Sequence, residues 1–345
     1  MRKINFTNKK VLVTGATGSI GLEIVKQLLK KNCKVIRALS NDENSIYDLT
    51  EKFSKNKILS KKNIISHMSK SRIRYLVGDI RDFSRCIEST HGIDIVIHAA
   101  AMKHVPICEY NKNETYKTNV IGTKNLIKAC LVNKVERFLL ISTDKSVYPS
   151  SYMGYTKKLA EKLVLSQNIK NINKCKFSVI RFGNVIGSRG SVLLKFINQI
   201  KNNEKITVTH KEMTRFFISI ESAVKNVLES ILIMRGGEVF IIKNLKAFKI
   251  IDLAYALKKI YKSRSKVIEI NPHENEKLFE QMLYKSELNY VDRVNNLFFL
   301  NKKFNKKKIT ESNVNIYRQL NSKFAKCLNR EQIIFFLKRN KLIKI

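Results

Sequence analysis

At 345 residues, 44% of them hydrophobic and 27% charged, the chain is long enough to bury an ordinary core and to hold one large domain or two lobes. Its formal net charge of +38 would alone suggest nucleic acid or an anionic membrane as partner, but the excess is spread over the whole chain with abundant Asn and Ile, and the densest run, NKKFNKKK at 301–308, lacks the interleaved aromatics of a base-stacking platform. Six scattered cysteines without a C-x-x-C pair argue against zinc and a disulfide framework, and no stretch approaches the roughly 18 apolar residues of a membrane span, so a cytoplasmic protein with no metal, no nucleic acid and no membrane span is expected.

Short apolar, β-branched runs alternate with amphipathic stretches through the first half. KKVLVTG is followed by the helical GLEIVKQLLKKN, then by KVIRAL, RIRYLVGD, IDIVIHAA, the helical TNVIGTKNLIKACLVN, RFLLIST, a helix carrying Met153 and Lys157, and FSVIRFG. Continuous apolar strands separated by crossover helices predict a Rossmann-type, doubly wound parallel α/β sheet over 1–185. From 186 to 300 the order loosens into a smaller mixed α/β lobe, with some crossing of the chain between lobes. The basic tail, 301–345, ends in the amphipathic REQIIFFLKRNKLIKI, expected to dock as a helix.

VLVTGATGSIGLEIV places Gly15, Gly18 and Gly21 between a strand and a helix. Glycine lets the backbone turn tightly and approach a pyrophosphate, whose charge the helix N-terminal amides meet. Thr14, Thr17, Ser19 and Ile20 belong to the same predicted cofactor site. The spacing, G-x-x-G-x-x-G, resembles that of the extended short-chain dehydrogenase/reductases. That resemblance implies that Asp79, with Ile80, lies by the adenine and that Ala99, Ala100 and Ala101 line the cofactor. After the second strand, Ser40, Asn41 and Asp42 stand near the adenosine ribose. An acid there favours NAD and a base NADP; Asn41 is neither, so the cofactor reads as NAD or NADP.

The strand RFLLIS delivers Thr143, Asp144 and Lys145 at its C-terminal end, where open α/β sheets bind ligands. With a nicotinamide site nearby, the adjacent carboxylate and amine read as an acid and a base aimed at one sugar ring, with Thr143 bonding the hydroxyl to be oxidised. AAMKHVPICEYNKNETYKTNVIGTKN, STDKSVYP, MGYTKKLAEKLV, RFGNVIGSRGSV and MTRFFISIESAV, in that order, resemble the nucleotide-sugar 4,6-dehydratases of polysaccharide biosynthesis, and within them the UDP-N-acetylglucosamine 4,6-dehydratases. The resemblance runs from about residue 9 to 285. It implies oxidation at C4 of the sugar, loss of water across C5 and C6, and return of hydride to C6. It also implies that Asp144 is the acid and Lys145 the base. Inversion at C5 is favoured, because the short, soluble members are mostly inverting.

Met153 occupies the tyrosine position of the Tyr-x-x-x-Lys pair of related dehydrogenases, four residues before Lys157. On a helix Tyr152 is turned about 100° and Tyr155 about 200° from the Met153 face, so neither replaces it; Tyr148 precedes the helix and reads as a packing residue. Some members of the resembled family carry Met-x-x-x-Lys and are active. Asp144 or Lys145 then helps to deprotonate the C4 hydroxyl, while Lys157 grips the nicotinamide ribose. For the substrate, Asn184, Ser188 and Arg189 come from RFGNVIGSRGS and Thr214 and Arg215 from HKEMTRFF. Arg215 is the stronger candidate for the pyrophosphate, and Arg181 belongs to the strand end. Lys103, which also lies beside the cofactor, and His104 face the sugar or its phosphates; Glu109 and Asn119 read as structural supports, Asn119 beside the cofactor. Where the family shows Arg, His or Pro, Gly, Glu, Lys, this chain has NPHENEKLFEQM, keeping Glu276 and Lys277 but placing His273 or nothing at the arginine and Asn275 at the glycine. The exact substrate is left open by that departure. Two other readings stand: a UDP-sugar 4-epimerase and a non-catalytic dinucleotide-binding regulator. A homo-oligomer is expected.

Overall fold

The computed structural model describes residues 5–53, 71–168, 175–271, 274–301 and 308–343; the centre of the basic run at 301–308 and His273 lie outside them. Two compact units are formed, one from Met1–Ser142, Thr156–Ile180 and Val224–Phe240, the other from Thr143–Tyr155, Arg181–Ala223 and Ile241–Ile345.

The first unit is built on β1 (Lys10–Thr14), β2 (Val35–Ser40), β3 (Ile73–Val77), β4 (Ile95–His98), β5 (Arg137–Thr143) and β6 (Lys176–Phe182), in the order β6-β5-β4-β1-β2-β3. β1 pairs in parallel with both β2 and β4, and β2 with β3 and β4 with β5 likewise. This is the Rossmann-type α/β fold that the alternation of runs predicts. The reason is visible in the burial: β5 is buried at every position but the last, as a strand covered on both faces must be. The order reverses between β1 and β4, and Thr14 stands in register with His98 there, at the carboxyl ends where ligands of such sheets bind.

In the second unit β7 (Asn184–Val185), β9 (Thr214–Ile218) and β11 (Lys246–Lys249) form a small sheet in the order β11-β9-β7; β8 (Ile206–Val208) pairs with β12 (Val267–Glu269), and β13 (Val291–Val294) with β14 (Leu297–Leu300). The intervening strand β10 (Val239–Ile242) is buried throughout and flanks β6. The core of this unit joins Leu193, Phe196, Phe217, Phe248, Leu253 and Leu257 with Ile333 and Leu337 of the C-terminal helix, Arg330–Arg339. Ile333 and Leu337 lie four apart, so both fall on one helical face. Phe248 stacks on Phe217 at 4.5 Å and meets the edge of Phe336 at 5.4 Å. Asn329 starts this helix with a capping box: its side chain accepts from Gln332 N, and the Gln332 side chain accepts from Asn329 N. No helix among the described residues is long and apolar enough to cross a membrane, and none of their His, Cys, Asp and Glu side chains cluster as a metal site.

Candidate active site

The turn after β1 is a main-chain cradle. Gly15 holds φ +63°, a left-handed conformation that suits glycine, and an added Cβ would come within 2.8 Å of the Ala100 backbone. A Cβ on Gly21 would meet the Gly15 carbonyl oxygen. Both glycines therefore let main chain approach main chain. Ala16 N donates to Leu39 O and Gly18 N to Gly15 O, and the helix Ser19–Leu29 opens at Gly18 with no side-chain cap. An uncapped helix start of this kind presents its first amides to an anion. The backbone leaves room for a pyrophosphate where a side chain would fill it, so the residues present fit a dinucleotide. Thr14 is buried, its hydroxyl 2.7 Å from His98 Nδ1 and accepting from Ala100 N at 3.3 Å, so it ties β1 to the Ala99–Ala101 stretch after β4.

At the end of β2, where the sequence leads one to expect the adenosine, Thr17 Oγ1 meets Ser40 Oγ at 2.8 Å, both buried. Asp42 is exposed, and its carboxylate accepts from Ser45 N and Ser45 Oγ, which caps the helix Glu43–Phe53. A carboxylate engaged this way is a helix cap first, and Asn41 beside it is exposed. Asp79 accepts from Arg81 N and Arg81 Nε, each at 2.8 Å. Burial alone would raise its pKa, but the Arg81 bonds and charge, with a bond from Asn41, hold it below the usual carboxylate value. Ile80 is buried, and its side chain fills the space a Cβ on Gly122 would need.

Two buried groups of the first unit do not stand out in the sequence. His98 sits between Thr14 and Thr123, Nε2 3.0 Å from Thr123 Oγ1; burial, then the charge of Lys157, pushes its pKa down to about 3, so the ring is neutral. Glu161 accepts from Ser142 Oγ at 2.6 Å. Lys157 is 7% exposed and donates from Nζ to Ile141 O at 2.7 Å; burial lowers its pKa to about 8, opposed in part by Glu161. Asn119, on a π-helical turn at Lys117–Ile121, accepts from Met102 N and donates to Met102 O and Thr156 Oγ1. That makes it a brace between segments, as the sequence suggests, on the kind of helix distortion that often marks a functional site.

The second unit carries Asp144 and Lys145, which the sequence casts as acid and base. Asp144 is fully buried; Oδ1 accepts from Thr143 Oγ1 at 2.8 Å and from Lys145 Nζ at 3.0 Å, while Oδ2 has no hydrogen-bond partner among the described residues. Lys145 Nζ also donates to Asn184 Oδ1 at 3.1 Å and lies 3.5 Å from Glu280 Oε1. Burial pulls its pKa down, but the carboxylates of Asp144 and then Glu280 outweigh burial and the opposing charge of Arg215, so the amine is held above its ordinary value. Gly154 explains how the helix Tyr152–Ser166 begins here: any Cβ would strike the Lys145 carbonyl oxygen. Ser151 accepts from Gly154 N and starts the helix, and Met153 is buried at 4% exposure. Tyr148, at φ +44°, packs edge-on to Tyr284 with ring centroids 4.6 Å apart and accepts from Lys285 N, which is a packing role.

The remaining sequence candidates are placed less uniformly. Asn184 joins the Lys145 cluster. Arg215 is 6% exposed and gives its guanidinium to Thr214 O, Leu278 O and Lys277 O, with Glu276 at 3.5 Å and Glu280 at 4.0 Å. An arginine so engaged organises the 276–280 turn. Thr214 bonds Ser322 Oγ at 2.9 Å. Arg181 pairs with Glu287 and Met282 O, as a strand-end residue. Ser188 and exposed Arg189 sit in a turn bounded by Gly187 and Gly190, both at positive φ. Lys103 and His104 are exposed, and partial burial, then Lys103, lowers the His104 pKa. After Glu276 and Lys277 the chain runs irregularly to a 3-10 turn at Lys285–Tyr290. Glu280, 2% exposed, is the site residue that the sequence alone does not single out.

The model of the polysaccharide biosynthesis protein family matches residues 11–302. The chain belongs to this family. A relative from Methanocaldococcus jannaschii, described as an uncharacterized membrane protein, is 42% identical over 341 residues, 96% of each chain. The family member is also similar to a Rickettsia bellii UDP-glucose 4-epimerase, 36% identical over 85% of this chain and 83% of that one. Among solved structures, Pen from Bacillus thuringiensis superposes with a TM-score of 0.87 at 33% identity, over 99% of this chain and 100% of that one.

Proposed function

We propose that the protein is an NAD(P)-dependent nucleotide-sugar 4,6-dehydratase, acting on UDP-N-acetylglucosamine in the synthesis of surface polysaccharide and inverting C5. The observation that carries this reading is the Thr143–Asp144–Lys145 cluster, in which a buried carboxylate and an amine share one hydrogen bond at a strand end. Elimination needs just such a pair, a base for the C5 proton and an acid for the departing C6 hydroxyl.

The dinucleotide, when bound, takes a hydride from C4 and returns it to C6. Gly15, Gly18, Gly21 and the first turn of the Ser19–Leu29 helix would hold its pyrophosphate. Lys157 would bond the nicotinamide ribose, and its charge would stabilise the alkoxide as the C4 hydroxyl is oxidised. Thr143 orients that hydroxyl. Once C4 is a ketone the C5 proton is acidic; Lys145 takes it and Asp144 protonates the C6 oxygen. Met153 takes no proton, so the C4 proton leaves by way of Asp144 or Lys145 to solvent, which the 23%-exposed Lys145 side chain reaches, and the pair is back to one proton before elimination.

Epimerisation at C4 is the second reading, favoured by the 36% identity to a protein described as a UDP-glucose 4-epimerase. Incubation with UDP-N-acetylglucosamine in deuterated water, followed by NMR, separates the two. Dehydration gives a 4-keto-6-deoxy sugar carrying deuterium at C5, and the C5 configuration reads inversion or retention. Galacto and gluco sugars interconverting without solvent deuterium at C5 would replace dehydration with epimerisation.

A further inference from the structure

Lys145 does not sit beside Asp144 alone. Three carboxylates and three cations of the second unit alternate through it: Asp144 to Lys145, Lys145 to Glu280, Glu280 to Lys277 and Arg215, and Arg215 to Glu276. Glu280 is at the centre and is fixed from both sides. Its backbone N–H donates to Ser322 Oγ at 2.8 Å and its carbonyl accepts from Ser322 N, while Lys277 Nζ, 3.5 Å from Glu280 Oε2, donates to Val147 O at 2.8 Å. Tyr284 Oη donates to Ser146 O and Ser150 Oγ to Asn275 O. The 275–285 segment is thus pinned along the loop that carries Lys145, and Glu280 is pinned with it.

We propose that Glu280 is a positioning residue that holds Lys145 as an ammonium against Asp144, so that the pair is armed by one proton passing from Lys145 Nζ to Asp144 across their 3.0 Å hydrogen bond. The passage breaks an N–H bond and makes an O–H bond, and the net charge of the pair is unchanged. It yields a neutral amine and a carboxylic acid together, which are the base and the acid that elimination requires. Glu280, by favouring the ammonium, resists the passage at rest. Asp144 on the same turn, Arg215 on β9 and Glu276 and Lys277 beside Glu280 are the other charged groups that face the pair; Arg215 opposes the ammonium and Asp144 supports it. The inference rests on the dehydratase reading for its use, but not for its geometry.

Two consequences follow. Because the working state carries one proton shared by the pair, kcat is flat across neutral pH, falls in acid when a second proton on the pair removes the base, and falls in alkali when Lys145 loses its proton and the acid is gone; the apparent midpoints belong to the pair. A lysine acting as an independent base would instead gain activity as pH rises. Removing the Glu280 charge moves the alkaline limb to lower pH by about one unit or more, the scale of a single opposite charge within several ångströms.

The test is an NMR titration of the Lys145 side chain, 13C-labelled at Cε, in the full-length wild type and in Glu280→Gln, alongside the pH profile of kcat. The expected result is a midpoint about one unit lower in the variant with the alkaline limb displaced equally, and recovery of most of both shifts in Glu280→Asp. An unchanged midpoint in folded Glu280→Gln overturns the proposal, as does a uniform fall in rate with no movement of the limb. If Glu280→Gln does not fold, Glu280→Ala decides, since it also removes the charge and must lower the midpoint by about one unit. The titration needs no turnover, so a shifted midpoint in a protein that makes no 6-deoxy product would sink the dehydratase reading and leave the role of Glu280 standing.

Discussion

Lys157 of the first unit is buried and Lys145 of the second is half-buried, and their surroundings are opposite. Lys157 of the first unit has a backbone carbonyl at 2.7 Å, while the nearby Glu161 is bonded to Ser142, so burial dominates and its pKa falls to about 8. Lys145 of the second has Asp144 at 3.0 Å and Glu280 at 3.5 Å, and carboxylate charge outweighs burial. The contrast extends to the two sites. The glycine cradle is made of main chain that the glycines of one stretch bring close to itself and to Ala100, whereas the Lys145 cluster is made of side chains from four separate segments. Lowering a lysine needs only burial; raising one needs partners placed by the fold.

The sharpest way to break the comparison is to remove the pair in the second unit. Lys145→Ala and Asp144→Asn are each expected to lower the rate of 6-deoxy sugar formation by roughly 10² to 10⁴, measured by NMR of the product, with the fold intact by circular dichroism. Full activity in both variants would mean that the cluster is not the acid–base pair. In the first unit, Gly15→Ala adds both left-handed strain and a clash with the Ala100 backbone. A loss of roughly 2 to 5 kcal/mol in urea unfolding is expected, with weakened dinucleotide binding by calorimetry.

The lysines themselves give a pH test. Below pH 8 the folded state must carry a buried charge on Lys157 that the unfolded chain carries in water, so this residue lowers stability there. Between about 8 and the ordinary 10.5 the unfolded chain binds a proton that the folded protein does not, and stability rises with pH by about 3 kcal/mol from this group. Urea midpoints of wild type and Lys157→Met should therefore converge in that sense: the variant's advantage at pH 7 shrinks towards pH 10.5. Lys145 has the reverse sign. Its folded pKa is raised, so its contribution is complete below 10.5 and is lost as pH rises through the raised value. The smallest effect is Gly154→Ala, about 1 to 3 kcal/mol from overpacking against the Lys145 carbonyl; the kcat of this variant should fall more than its stability, because the displaced atoms belong to the acid–base turn.

What the sequence displays divides along the same line. Glycine spacing after an apolar strand encodes a backbone shape directly, so Gly15, Gly18 and Gly21 are legible from their spacing, and so is the α/β alternation that surrounds them. Asp144 and Lys145 are legible because they are adjacent and close a strand. Glu280 is not, since only the tertiary path of the 275–285 segment brings it to Lys145. Arg215 has the right chemistry for a pyrophosphate, and what the sequence does not display is the set of carbonyls that the turn at 276–280 aims at its guanidinium. Asp42 likewise has a local task, the cap of the helix that follows it, which outranks the ribose in proximity. Met153 asks for a substitute base, which the proposed reading finds in the cluster on the strand end, and Gly154, its neighbour, lets the helix approach that end.

The central claim is that hydride leaves C4 and returns to C6 of one sugar. UDP-N-acetylglucosamine deuterated at C4 tests it most directly, read by NMR and mass spectrometry of the product. The account predicts a 4-keto-6-deoxy sugar with the C4 deuterium now at C6. Deuterium retained at C4, in a sugar that keeps its C6 hydroxyl, would contradict it.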